Sequence, residues 1–165
     1  MAKNTTQSEL KTVMKLAEAI LLRGDMQKKQ ASLRTRIDNN AAVQQGDKPH
    51  EDPVKLMAEF NGLTDDLATL IFSINQANLT AKLKDGRSLT RALADRDGLT
   101  QRHAMLVSAA GAANKQPDRF GAREIKWVAK VNVESLQKQA EDLAKKIREL
   151  NVAIQETNWR VEIGK

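Results

Sequence analysis

The stretch 52–77, DPVKLMAEFNGLTDDLATLIFSINQA, decides the fold class. Its apolar residues Leu56, Phe60, Leu63, Leu67, Leu70, Ile74 and Ala77 step by four and three in alternation. That spacing puts them on one side of an α-helix, as the seam of a helix lying along a neighbour. Asp52-Pro53 is a start signal: Asp accepts from free N–H groups of the first turn, and Pro has no N–H to lose there.

The same period runs outward in both directions. Upstream, Leu10, Val13, Met14, Ala17, Ile20 and Leu21 form a stripe that slips near Gly24 and resumes as Leu33, Ile37 and Ala41. It predicts one long helix over about 6–44, bent at Gly24 and ended by the 44–49 segment QQGDKP. Downstream, Lys84-Asp85-Gly86-Arg87 reads as a turn and Ser88 as the cap of a third helix over about 89–114. Leu136, Ala140, Leu143, Ile147, Leu150, Ile154 and Thr157 make the seam of a fourth, over about 133–157.

Three segments alternate with period two instead: 79–84, 123–131 and 159–163. They predict a small β element. The expectation is a single mainly α domain, 1–165: a bundle of four helices, two or three of them long, with that β element. A 25-residue helix spans about 38 Å. Seams as continuous as those of the second and fourth helices are too long for the exposed surface of a monomer, and they predict self-association.

Composition narrows the function classes. Among 165 residues there are three Phe, two Trp and no Tyr, too few aromatics for an all-β sandwich or barrel. There is no Cys, so disulfides, thiolate zinc sites and thiol catalysis are excluded. MAKNTTQSELK at 1–11 has no apolar core, so no signal peptide is expected, and no apolar run approaches a membrane span. The expected compartment is the cytoplasm, that of the host if a phage encodes the chain.

No phosphate loop, dinucleotide fingerprint, nucleophile elbow or paired-histidine zinc motif occurs. His50 and His103 stand far apart. The carboxylates of Asp65/Asp66 and Glu141/Asp142 are chain neighbours, which diverge by about 100° on a helix and do not share a site. No enzyme activity, metal or cofactor is expected.

The candidates for function are polar residues in unusual places. On the third helix, Arg96 and His103 occupy seam positions among Leu89, Leu93, Leu99 and Leu106. Burying them without partners is costly, so either they satisfy internal partners or they line a polar cavity that takes an anion. The chain carries a net charge of +6, concentrated in its second half. There Arg102, His103, Lys115, Arg119, Arg123, Lys126 and Lys130, against Asp118 and Glu124, are interleaved with Phe120 and Trp127. Arginine forks suit phosphate, and an aromatic ring can stack on a base. Asn158 adds an amide able to read a base or ribose, or else to fix register. The residues named for a ligand are therefore Arg96, Arg102, His103, Arg119, Arg123, Lys126, Trp127 and Asn158. A mixed-sign surface with no nucleic-acid motif argues against specific DNA or RNA binding.

RALADRDGL at 91–99, REIK at 123–126, VNV at 131–133, LQK at 136–138, RELN at 148–151, IQ at 154–155 and NW at 158–159 together resemble the septicolysin-like family of small bacterial and phage proteins. The likeness is strongest over 88–163. It implies a mostly helical protein that assembles with copies of itself, and it supplies no catalytic residues. This chain departs from a cytolysin in lacking a membrane-inserting segment. The resulting expectation is a non-enzymatic homo-oligomer that binds a small anionic, nucleotide-like ligand; in a phage setting it would sequester a host immune signalling nucleotide. The alternatives are a structural or protein-interaction module and a septicolysin-like cytolysin.

Overall fold

Asp52 does what its position promises: its Oδ1 accepts from the N–H groups of Val54 and Lys55, and a helix, α2, runs Pro53–Thr80. The protein is described here by a computed structural model covering residues 13–114 and 128–164. Before α2 come a strand, β1 (Val13–Lys15), and a helix, α1 (Leu16–Asn40); after it come α3 (Leu89–Ala113), α4 (Val133–Arg160) and a strand, β2 (Glu162–Gly164). Among the described residues the fold is mainly helical, four helices with one small antiparallel sheet, as the sequence pattern implies.

The chain divides into two compact units, one made of residues up to 81 and from 157 onward, the other of residues 82–156. Each unit has its own buried residues.

In the first unit, α1 and α2 run antiparallel. Gln30 Nε2 donates to Thr64 Oγ1 at 2.8 Å, and Lys29 pairs with Glu59 at 2.7 Å. Leu16, Ala19 and Leu33 of α1 and Leu56, Leu67, Leu70 and Ile74 of α2 are buried, so α2's seam is spent on its own neighbour. The connection between the helices is held at one point. Buried Asn40 donates from Nδ2 to the Arg36 carbonyl at 2.9 Å and accepts at Oδ1 from the Glu51 N–H at 3.0 Å. Arg36 also forks onto the Glu51 carboxylate. Asn40→Leu leaves the Glu51 N–H without its partner and is expected to cost about 1–3 kcal/mol. Urea unfolding measures the loss, and faster hydrogen exchange at the Glu51 amide locates it.

The first helix starts later than its apolar stripe suggests. Val13–Lys15 are extended and pair with Glu162–Gly164, in the register Val13↔Gly164, Met14↔Ile163 and Lys15↔Glu162. A 2.5 Å ion pair from Lys15 Nζ to Glu162 reinforces the ladder. Val13 and Met14 therefore belong to a sheet and not to a helix over 6–44, and α1 ends at Asn40, short of 44. The helix runs unbroken through Gly24.

The other β expectations are corrected similarly. The tail strand is real but shorter than 159–163, since Trp159 and Arg160 are the last residues of α4. At 79–84, Leu79 and Thr80 close α2, and only Lys82 makes an isolated bridge, to Ser88. Of 123–131, residues 123–127 lie outside the described residues and 128–131 are not a strand.

In the second unit, the turn before α3 is built on Gly86, at φ +86°, a left-handed conformation that side chains disfavour. Ser88 caps α3 by accepting from Arg91 N–H. Arg87 ties the turn to the helix: it donates to Asp85 Oδ2 at 2.9 and 2.6 Å and to Asp95 Oδ2 at 2.9 Å. The guanidinium of Arg87 holds the Asp85 carboxyl below the usual aspartate range, as Arg36 does for Glu51. A depressed folded pKa means stabilisation that is complete above the unfolded value, about 3.9 for Asp, and lost as pH falls through the folded one. Acidification below about pH 4 is thus expected to release the 82–91 turn. An NMR titration of the Asp85 carboxyl carbon, with its midpoint below 3.9, checks it.

Candidate binding site

The second unit places α3 and α4 antiparallel, with Leu106, Ala110, Ala140, Leu150 and Ile154 buried. Along one flank the two helices open a cleft of about 350 Å³. Helix α3 contributes Arg102, Met105 and Leu106; α4 contributes Gln139, Asp142, Leu143 and Lys146, spaced by three and four along one side. Leu106 and half-buried Leu143 make an apolar floor. Arg102 and Lys146 stand exposed at the rim, one from each helix, and form no ion pair with any described residue. Asp142 is the one carboxylate among the described lining residues. Gln139 donates back to Ser135 Oγ at 3.2 Å. Two cations without an ion pair among the described residues, over an apolar floor, suit a ligand with an anionic end and a flat or apolar body.

The seam residues flagged by sequence behave differently. At 100° per residue, Arg96 and His103 lie on the other flank of α3 from Arg102 and Met105. Arg96 is half-buried, and its guanidinium bonds the adjacent Asp97 at 2.8 and 3.1 Å. This ion-pair partner is the next residue of its own helix, at the surface and not across the core. His103 is half-buried and is not among the lining of the two clefts described here. A second cleft, about 180 Å³, is walled by Val107, Gly111 and Asn114 of α3 against Gln137 and Ala140, with no charged group among the described lining residues.

Asn158 is 6% exposed in the last turn of α4, within the first compact unit, whereas Arg102 belongs to the second. Arg119, Arg123, Lys126 and Trp127 lie outside the described residues. Of the eight candidates, Arg102 alone lines a described cleft.

The sequence reading passes over Lys146 and sets Asp142 aside, because a charged flank beside a heptad seam looks like any solvated helix face. Another residue was hidden in the same way. Arg23 sits seven residues from both Leu16 and Gln30, in line with the α1 seam, and its Nε is buried with no hydrogen-bond partner among the described residues. Among the described residues no cluster of His, Asp or Glu is arranged to hold a metal ion.

A family model matches residues 23–163, a span that includes both clefts. The chain belongs to the DUF6847 family, a family of unknown function. It is also similar to a solved structure, described as the crystal structure of a functionally unknown conserved protein from Corynebacterium diphtheriae. The identity is 33% and the TM-score 0.86, over 92% of this chain and 99% of that one. No curated protein matches the chain. The family and the solved relative support the fold and leave the activity to be argued from the site.

Proposed function

We propose that this chain is a non-enzymatic, homo-oligomeric binding protein for a small anionic, nucleotide-like ligand, seated in the α3–α4 cleft. The observation that carries the reading is the pair Arg102 and Lys146 at the rim of one apolar floor, neither in an ion pair with a described residue although Asp142 shares the lining. A phosphate takes the Arg102 fork and the Lys146 ammonium, and the base or sugar covers Met105 and Leu143. Holding such a ligand without turning it over is sequestration. The resemblance to a family with phage members suits that role, the ligand then being a signalling nucleotide.

The test is a thermal-shift panel of mono-, di- and cyclic nucleotides at low salt. A ligand at 100 times its dissociation constant stabilises the fold by about 2.7 kcal/mol per site. Mass spectrometry of what heat-denatured protein releases identifies a co-purified ligand. If no nucleotide moves the midpoint and nothing is released, the reading fails.

A second reading has one observation in its favour. Met105 and Val107, on opposite sides of Leu106, are both more than half exposed, which fits an α3–α4 pair that packs against helices of another protein. Among the described residues no helix is long and apolar enough to cross a membrane.

A further inference from the structure

Among the described residues, strand β2 pairs with β1 alone, along one edge. The register tells which backbone groups the other edge carries. Leu16 N–H donates to the Val161 carbonyl at 2.9 Å, so Val161 directs its carbonyl toward the β1 side. In an antiparallel ladder, successive residues turn their N–H and C=O groups to alternate edges. Ile163 therefore faces β1 as Val161 does, while Glu162 and Gly164 turn theirs to the free edge. No described hydrogen bond takes those groups.

The free edge opens into a cleft of about 350 Å³, lined by residues 161–164 and by the side of α2 around Gln76 and Thr80. Phe72 and Leu79, 68% and 66% exposed, lie four and three residues from Gln76 on that same side. A ladder of two three-residue strands is too small to stand alone, and an open edge is normally blunted by a charge, a proline or a bulge. Here the one charged residue of β2, Glu162, reaches back to Lys15 of β1.

We infer that β2 is a dimerisation strand: β2 of a second copy pairs antiparallel with it about a twofold axis, in the order β1-β2-β2-β1. The outward groups of residues 162 and 164 select the register. Glu162 of each copy exchanges hydrogen bonds with Gly164 of the other, and the two Ile163 residues face each other at the axis. This is self-complementary, as a twofold interface must be, and opposite Glu162 it places a residue with no side chain. Backbone groups with no described partner are satisfied, and Phe72 and Leu79 are covered. The inference deepens the oligomeric part of the proposed function and is independent of the α3–α4 cleft.

The chain has no cysteine, so single ones report cleanly. Directly opposed residues of a non-hydrogen-bonded antiparallel pair have Cα atoms about 4.5 Å apart, within disulfide range. Ile163→Cys is expected to give near-complete covalent dimer under mild oxidation. Val13→Cys, exposed on the outer strand, stays monomeric on the same gel. Gly164→Pro removes an N–H that β1 does not use. Light scattering is expected to show its dimer dissociation constant raised at least tenfold, with helical circular dichroism unchanged. Equal cross-linking of Ile163→Cys and Val13→Cys, or a Gly164→Pro variant as dimeric as the parent, overturns this interface while leaving another oligomer open. A monomeric parent at tens of micromolar overturns all self-association, whatever nucleotides do to its melting. A monomeric parent whose 162 and 164 amide signals shift on adding an extended peptide assigns the edge to a different partner and overturns the dimer.

Discussion

Leu33→Ala is expected to lower the stability of the protein by about 2–5 kcal/mol. Leu33 is 0% exposed, on the face of α1 that packs along α2, one turn beyond the Gln30–Thr64 hydrogen bond. Deleting its three outer carbons removes apolar surface that had left water and opens a cavity. Among its described residues the first compact unit has this helix pair, the last residues of α4 and a two-stranded ladder to supply its core, so little of what is described can collapse into the gap. Total stability of a chain this size is of order 5–15 kcal/mol, so one such change removes a large part of it. In urea the midpoint should fall while the slope stays constant, marking lost stability and not a changed denatured state. Leu21→Ala, on the same helix but largely exposed, should change stability by less than about 0.5 kcal/mol. Equal effects from the two would contradict the burial pattern of α1.

The second large effect concerns binding. If a nucleotide-like ligand sits in the α3–α4 cleft, Arg102→Ala and Lys146→Ala should each weaken it about tenfold or more. A hydrogen bond to a charged group contributes about 1.5–3 kcal/mol, and 1.4 kcal/mol is tenfold in affinity. The double charge reversal Arg102→Glu/Lys146→Glu should abolish the thermal shift outright, because the lining would then carry three carboxylates and no cation. Both side chains are exposed and without described ion-pair partners, so the unliganded variants should melt within about 0.5 kcal/mol of the parent. Arg96→Ala is the control. It lies on the other flank of α3 and bonds Asp97, so it should leave affinity unchanged. Loss of binding in Arg96→Ala with retention in the double reversal would move the site to the opposite flank.

That contrast shows where sequence reasoning reaches its limit. Period and polarity single out Arg96 and His103, because a cation in an apolar stripe is conspicuous along one helix. What makes a cleft is the gap between two helices. Arg102 and Lys146 are 44 residues apart, sit beside their seams, and belong to no motif. The pairing of β1 with β2 is of the same kind: Lys15 and Glu162 stand 147 residues apart. Val13 and Met14 fit a helical stripe as well as a strand, and only the presence of the tail alongside decides between them.

The sequence by itself determines the helices. Asp52-Pro53, Ser88 and the three–four steps of α2 and α4 are local signals, and helix hydrogen bonds are local too, so the elements follow from residues at most four apart. Tertiary structure alone decides the rest. Sheet pairing, cleft lining and the fate of each polar seam residue depend on which distant segment arrives opposite, and no short-range period encodes that. Helix α2's seam illustrates both halves: its existence is written in residues 56–77, but that α1 covers it, leaving Phe72 and Leu79 outward beside an open β2 edge, is a property of the folded chain.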